Sequence, residues 1–210
     1  PAAVLGNQGF VRAASNAENP QESFATLDGE WLILGTLFKF HAACHLTHAG
    51  IECVRQLMSE HEPGSLSALT ITVNPGLLDV CGIEQPRTGL EGKFSLRGTA
   101  SLVLNGIDTA SPGSFVDAVI SSDTVQALLP RITVETDRAL TQFQTRVLWV
   151  DDAQEAHEAF RDLSEPVTDY PAQRQRLEAK FTALSDFSGS NPSPSADTIR
   201  DLAAVENFCL

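Results

Sequence analysis

The stretch THAGIECVRQLMSEHEPGSLSALTITV, residues 47–73, predicts a helix followed by a strand. In its first half, apolar residues recur at helical spacing at Ile51, Val54, Leu57 and Met58. Thr47 is placed to cap this helix, and Pro63-Gly64 to end it. The second half, Leu66–Val73, alternates and is rich in β-forming residues. The stretch therefore indicates a fold that combines a sheet with helices.

Outward from this stretch, the pattern predicts one strand before it and two after it. The earlier strand is Trp31–Phe40, a short apolar run bounded by turn signals. The later strands are Arg131–Thr136 and Thr145–Val150, where apolar residues recur with a period of two. This order of elements is typical of an α+β fold, a small sheet with helices packed on it and an appended helical tail.

Helices and one linker fill much of the remaining sequence. The predicted helices are Phe94–Leu104, Asp123–Leu129, Pro171–Leu184 and Asp197–Phe208. The first of them ends at Asn105-Gly106. A flexible linker, SGSNPSPS at residues 188–195, precedes the last, and the passage between Val150 and Pro171 is polar and shows no clear element.

The composition excludes several classes of function. The 210 residues include 27 acidic and 14 basic side chains, a formal charge of −13, which opposes binding to nucleic acid or to an anionic membrane. No apolar run approaches the roughly 20 residues of a membrane helix, and the first residues show no secretory signal. The four cysteines form no C-x-x-C pair, which favours a reduced compartment. We therefore expect a soluble, cytoplasmic protein.

Three of the five histidines lie within eight residues, in the run FKFHAACHLTH, residues 38–48. The basic and thiol side chains of this run are Lys39, His41, Cys44, His45 and His48. No acidic residue occurs within 31–51. Between a strand end and a helix start, such groups would face one pocket, where helix N-terminal amides add positive potential. The run predicts a pocket that favours an anion.

Two other interpretations of the histidines stay open. In a helix, the three imidazoles at i, i+4 and i+7 would be zinc ligands, and Cys44 would add a thiolate. Against this, the strand should run past Phe40, and no matching carboxylate lies nearby to orient the ligands. Alternatively, the histidines are structural and cap the ends of the strand and the helix.

A second candidate run is TGLEGKFSLRG, residues 88–98. It departs from the Walker pattern at two positions, which excludes a nucleotide loop. If a helix begins at Phe94, Lys93 and Arg97 lie on one face and would hold a carboxylate between them. The alternative is an ordinary solvated face shared with Glu91. No motif of a serine hydrolase, a dinucleotide enzyme or a zinc protease is present.

Four runs, in order along the chain, resemble the MmgE/PrpD family, which includes 2-methylcitrate dehydratase, cis-aconitate decarboxylase and iminodisuccinate epimerase. The runs are Lys39–Glu52, Gly89–Leu96, 117–135 and 177–181. The resemblance implies a large all-helical domain, a smaller α+β lid domain and a return of the chain to the helical domain. It also implies that this sequence is the later half of such an enzyme, so that Pro1 marks a truncation.

The resemblance divides the chain into three parts. We expect residues 1–30 to be the end of the helical half and a linker, 31–165 the lid domain, and 166–210 the returning C-terminal helices. The remaining part of the site would come from the missing N-terminal helical domain. The complete protein is expected to be a homodimer.

The resemblance also implies which residues form the site. The expected catalytic residues are Lys39, His48 and His45. The expected substrate-binding residues are Cys44, Thr47, Lys93 and Arg97. Cys44 stands where some members have a histidine, and Leu78 stands where some decarboxylases have a tyrosine, which weakens a decarboxylase assignment.

The implied reaction needs no cofactor and no metal. A base removes a proton beside a carboxylate, an acid protonates the departing hydroxyl, and cationic side chains hold a small di- or tricarboxylate. The sequence therefore predicts part of a lyase or isomerase, inactive as a fragment. The alternatives are a noncatalytic binding or assembly module, or a histidine-rich metal site.

Overall fold

The structure is a computed structural model that describes residues 35–61 and 66–188. The chain divides after Thr36 into two units, and every helix and strand below belongs to the second, Leu37–Leu210. Several predicted segments lie wholly or largely outside the described residues: 1–30, the first part of the predicted strand at 31–34, the linker at 188–195, and the helix Asp197–Phe208.

A four-stranded mixed sheet forms the centre of the fold. Its strands are β1 Leu66–Val73, β2 Ile132–Thr136, β3 Gln144–Asp151 and β4 Ala156–Asp162. They lie in the order β2-β1-β3-β4. β1 runs parallel to β2 and antiparallel to β3, and β3 and β4 are antiparallel. Three of these strands were predicted from their alternation.

Seven helices accompany the sheet in the described part of the chain. They are α1 His48–Glu60, α2 Leu78–Cys81, α3 Gly89–Lys93, α4 Leu96–Leu104, α5 Asp117–Ile120, α6 Asp123–Leu128 and α7 Tyr170–Ser188. Short 3-10 turns lie at His45–Thr47, Pro75–Leu77, Pro112–Phe115 and Leu129–Arg131. Sheet and helices together confirm the predicted α+β class. None of the described helices is long and apolar enough to cross a membrane.

The core lies between the sheet and two helices. α1 packs on β3 and β4 and against α4, and α4 also contacts β2. The sheet contributes the buried side chains Leu69, Ile71, Val73, Val147 and Trp149. Helix α1 contributes Ile51, Val54 and Leu57. Burial of each such side chain stabilises the fold by about 1.5–3 kcal/mol. The apolar face that the sequence predicts for α1 is therefore the face that packs on the sheet.

The prediction of a strand over Trp31–Phe40 is wrong for its described part. Residues 36–40 form no regular element. The ammonium group of Lys180 on α7 donates to the carbonyl oxygens of Lys39 at 2.6 Å and of His41 at 3.0 Å. Carbonyl groups at this end of the segment are therefore satisfied by a side chain rather than by a neighbouring strand.

Strand β4 is not predicted by the sequence, because it lies in the polar passage between Val150 and Pro171 that shows no clear element. β4 pairs with β3 along its whole length, after a turn in which Gln154 has φ 65°. In β4 only Ala159 is buried, because this strand forms an edge of the sheet. An edge strand with a solvated face lacks the apolar alternation that identifies a strand in sequence.

The predicted helix Phe94–Leu104 is confirmed as α4 but begins two residues later, at Leu96, after the separate short helix α3. Helix α3 ends at Lys93, and Ser95 caps α4 by accepting a hydrogen bond from the amide of Gly98 at 2.9 Å. The predicted end is confirmed, since Gly106 follows with φ 70°. The capping role predicted for Thr47 is wrong, because its hydroxyl donates to the carbonyl of Cys44 at 2.8 Å, within the turn before α1.

The run GLEGK, helix α3, is shaped by close packing. A side chain on Gly89 would place Cβ 2.0 Å from the carbonyl oxygen of Phe115. On Gly92 it would lie 2.4 Å from the end of Ile120. The hydroxyl of Thr88 and the carboxylate of Glu91 complete a capping box at the start of the helix. Both glycines and the glutamate of this run therefore have structural roles.

Candidate active site

The structure brings the three clustered histidines together where the turn His45–Thr47 leads into α1. The ring of His48 lies between the other two, with ring centres 4.8 Å from His41 and 4.9 Å from His45. The segment 41–44 is not helical. The helical spacing on which the zinc interpretation depended is therefore wrong.

His41 is buried and both of its ring nitrogens are bonded. Nε2 lies 2.7 Å from Oε1 of Glu52, and Nδ1 lies 2.7 Å from the hydroxyl of Thr109. Burial lowers the pKa of His41 more than Glu52 raises it, so the ring is neutral. We infer from this bonding that Nε2–H donates to Glu52 and that Nδ1 accepts the Thr109 proton. His41 has no lone pair free for a metal.

Glu52 connects His41 to the C-terminal helix. Its Oε1 also accepts a hydrogen bond from Arg176 on α7, whose guanidinium lies 3.9 Å from the centre of the Phe40 ring. Burial opposes the ionisation of Glu52, but the hydrogen bond from His41 and the charge of Arg176 prevail and lower its pKa to about 2. A continuous chain of bonded side chains thus runs from Arg176 through Glu52 and His41 to Thr109.

This carboxylate corrects the expectation that the histidine region holds no acidic group. The acid-free run ends at Ile51, and Glu52 lies one helical turn after His48, on the same face of α1. The i,i+4 relation of His48 and Glu52 was a signal in the sequence that could have identified it.

His48 is buried and carries the one histidine nitrogen among the described residues that is buried without a partner. The unpartnered atom is Nε2, and the ring also hydrogen-bonds the backbone of Ala43. Burial, followed by the neighbouring His41, His45 and Lys39, lowers the pKa of His48 to about 3. The ring is therefore neutral, and Nε2 presents an unshared electron pair.

Two lysines lie near these imidazoles. Lys39 is exposed. The pKa of the half-buried His45 is lowered by the burial of His45 and, second, by the charge of Lys39. Burial and the charge of Lys39 likewise lower the pKa of Lys180 on α7. Lys180 and Arg176 were not predicted from the sequence as members of the site. Lys180 does lie in LEAKF, residues 177–181, one of the runs that resemble the family.

A small cavity of about 60 Å³ adjoins the cluster. Its polar lining is His45, His48, Glu52, Glu165, Gln173 and Arg176. A cavity of this size has room for only a few water molecules, whereas pockets for small ligands measure about 300 Å³ or more. The cavity beside the histidines is therefore smaller than a typical small-ligand pocket.

The predicted substrate-binding residues occupy different places. Thr47 is buried, and the half-buried Cys44 hydrogen-bonds the thiol of Cys81. Lys93 and Arg97 lie on separate helices, so the shared helix face predicted for them is wrong. The carbonyl of Lys93 accepts a hydrogen bond from the Cys44 amide at 3.0 Å, whereas Arg97 does not line the histidine cavity. The substrate-binding roles of these four residues stay predictions.

A different group of side chains has ligand atoms close enough together for a metal ion. Asp151, Glu155 and His157 lie at the turn between β3 and β4, with their ligand atoms within 4.8 Å of one another. Among the described residues no other such group occurs, and none includes the histidines of residues 41–48.

The lowered pKa of His48 predicts that acid destabilises the fold. Between the value of 6.5 for an ordinary histidine and the folded value of about 3, the unfolded chain binds the proton and the folded chain does not. The free energy of unfolding should therefore fall as pH decreases, by up to about 1.4 kcal/mol per pH unit from this group. Urea denaturation of the wild type and of His48→Gln between about pH 7 and pH 5 tests this. An equal slope in both proteins would contradict it.

Comparison with known proteins identifies a family for this chain. No curated protein matches the chain significantly. Residues 41–203, which make up more than half of the sequence, match the MmgE/PrpD C-terminal domain. The match begins at His41 and includes the histidine cluster, helix α3 and Lys180. The chain therefore belongs to the MmgE/PrpD family.

Proposed function

We propose that the complete protein is a cofactor-independent lyase or isomerase that acts on a small di- or tricarboxylate, as 2-methylcitrate dehydratase does. The observation that carries this proposal is the unpartnered Nε2 of His48, in a neutral ring within electrostatic reach of Lys39. A neutral imidazole beside a cation suits a substrate that combines a hydroxyl group with carboxylates.

In this proposal, Lys39 pairs with a substrate carboxylate and His48 accepts a hydrogen bond from the substrate hydroxyl. The charge of the bound carboxylates would raise the pKa of His48 and His45, since an opposite charge nearby favours the protonated imidazole. A ring that had taken up a proton from solvent would then give that proton to the departing hydroxyl, which leaves as water, while the neighbouring C–H bond breaks and its proton passes to the base. We assign the base that removes the carbon-bound proton to the N-terminal helical domain of the complete protein.

The small cavity supports the second part of the proposal, that an N-terminal helical domain completes the site. The exposed apolar side chains of α7, Tyr170, Leu184 and Phe187, would contribute to contact with that domain. We further propose that the complete enzyme is a cytoplasmic homodimer. The thiols of Cys44, Cys53 and Cys81, all free, are consistent with a reduced compartment.

The test of the proposed function is Lys39→Ala in the complete gene product. We expect kcat/KM on 2-methylcitrate, or on the best member of a polycarboxylate panel, to fall at least tenfold, which corresponds to about 1.4 kcal/mol of transition-state stabilisation. Steady-state kinetics measure this, with circular dichroism to show that the variant folds.

Two controls make this result specific. Arg138→Ala removes an exposed cation outside the cavity lining and should leave kcat/KM unchanged. The isolated 210-residue chain should show little or no turnover. Unchanged kinetics in Lys39→Ala would reject the role of Lys39, and substantial turnover by the isolated chain would reject the need for a second domain.

A further inference from the structure

We propose that Arg87 and Arg97 form a second anion-binding site, separate from the histidine cavity, for a small ligand that carries a phosphate or carboxylate group. This inference concerns binding by the chain itself and does not depend on the proposed enzymatic activity.

The site is a cavity of about 330 Å³ between the loop before α3 and the end of α6. Its lining is Gln85, Arg87, Arg97, Gln126, Leu129 and Pro130. The lining contains two arginines and no acidic residue, in a chain with 27 acidic and 14 basic side chains. This cavity shares no lining residue with the cavity beside His48. Its volume is within the range of small-ligand pockets.

The wall of the cavity is held in place by Gln126. Its side-chain amide donates to the carbonyl oxygens of Pro86 at 2.9 Å and of Ile120 at 2.8 Å. These two bonds join α6 to the loop that carries Arg87 and to the end of α5. A ligand would therefore meet a largely preformed surface, which reduces the ordering cost of binding.

Arg97 supplies the strongest evidence for a ligand. Its Nε atom is buried and has no hydrogen-bond partner. Its Nη1 lies 4.0 Å from a carboxylate oxygen of Glu84, and 73% of the Glu84 side chain is exposed, so this pair is weak. A buried N–H without an acceptor is unfavourable, because the hydrogen bond that it made with water is not replaced. A small movement of the guanidinium that exposed Nε would let an oxyanion bind Nε and one Nη together, and this bidentate contact would supply the missing acceptor.

Arg87 lies exposed beside this cavity, where its guanidinium would meet the solvent side of the ligand. The nearby carboxylate of Glu91 accepts hydrogen bonds from the amides of Arg87 at 2.7 Å and of Thr88 at 3.0 Å. Glu91 caps α3 and does not line the cavity, but its negative charge acts on Arg87, so we expect Arg97 to contribute more to anion binding than Arg87 does.

The proposal is tested by titrating the 210-residue chain with inorganic phosphate and, separately, with malonate. Isothermal calorimetry at constant ionic strength, with sodium chloride as the reference salt, gives the affinity. We expect saturable binding below about 10 mM, weakened at least tenfold by Arg97→Gln and less by Arg87→Gln. Tighter binding of phosphate would assign a phosphate ligand, and tighter binding of malonate a carboxylate ligand.

Three control measurements keep the result specific. Arg138→Gln, which alters an exposed arginine outside the cavity, should bind as the wild type does. Should Arg97→Gln fail to fold, Arg97→Lys keeps the charge but loses the bidentate contact, and it should still weaken binding. In the wild type, NMR shifts on titration should centre on the side-chain amides of Gln85 and Gln126. Binding insensitive to Arg97, shifts centred on the histidines, or no saturation would overturn the proposal.

Discussion

Replacing Gly89 by alanine is expected to lower the free energy of unfolding by about 3 kcal/mol. The new Cβ would lie 2.0 Å from the carbonyl oxygen of Phe115 and 3.0 Å from Cα of Val116. Both are backbone atoms, so the clash is relieved only by moving one chain segment away from the other. Urea denaturation of the wild type and the variant measures the effect. Gly89, which lies in one of the runs that resemble the family, would then be required for packing rather than for substrate binding.

Two further glycine substitutions provide controls for this result. In Gly50→Ala, the nearest atom to the new Cβ is 3.8 Å away, so this buried glycine of α1 should tolerate alanine or gain up to about 1 kcal/mol from helix propensity. Gly92→Ala meets the flexible end of Ile120 and should fall between the two. If Gly89→Ala were as stable as Gly50→Ala, the packing explanation would be wrong.

Removing the carboxylate of Glu52 is the second change with a large expected effect. Glu52→Ala should lower the free energy of unfolding by about 3 kcal/mol, because it leaves the buried Nε2–H of His41 and the guanidinium of Arg176 without their shared acceptor. The contact between α7 and α1 should loosen as well. Equilibrium denaturation gives the stability, and hydrogen exchange of the α7 amides reports the loosening.

Glu60 offers a matched control on the same helix. Its carboxylate is exposed and accepts one hydrogen bond, from Gln56 at 3.1 Å. Glu60→Ala should therefore change stability by no more than about 0.5 kcal/mol. Glu52→Gln keeps an acceptor oxygen and should lie between Glu52→Ala and the wild type. Equal losses in Glu52→Ala and Glu60→Ala would show that the bonded chain contributes nothing.

The parts of the fold that the sequence predicted are those with one buried face. Helix α1 and strand β1 each place apolar residues at the period of their own geometry, so both could be identified before the structure was known. Strand β4 could not, since only Ala159 among its residues is buried. In the described part of Trp31–Phe40 the sequence predicts a strand that does not form. An apolar run does not show whether a neighbouring strand is available to pair with it.

The candidate site was predictable where its members are neighbours in sequence. The histidines of residues 41–48 belong to one short run, and the structure brings them into contact. Glu52 and Arg176 are 124 residues apart, and the bond between them exists only because α7 lies against α1. Pairings of this kind are a property of the fold and leave no local pattern. Lys180 was within a recognised run, but only the structure shows that it faces the carbonyls near His41.

The strand order β2-β1-β3-β4 also has a consequence for how the chain folds. Only β3 and β4 are joined by a short turn, so this hairpin can form before the rest of the sheet. β1 occupies a central position but must find both neighbours across long intervening segments, as the pairings of Leu69 with Ile132 and with Trp149 show. Closing those loops lowers the conformational entropy of the chain before the strand pairing can stabilise it. Insertion of β1 between β2 and the hairpin is therefore expected to limit the folding rate.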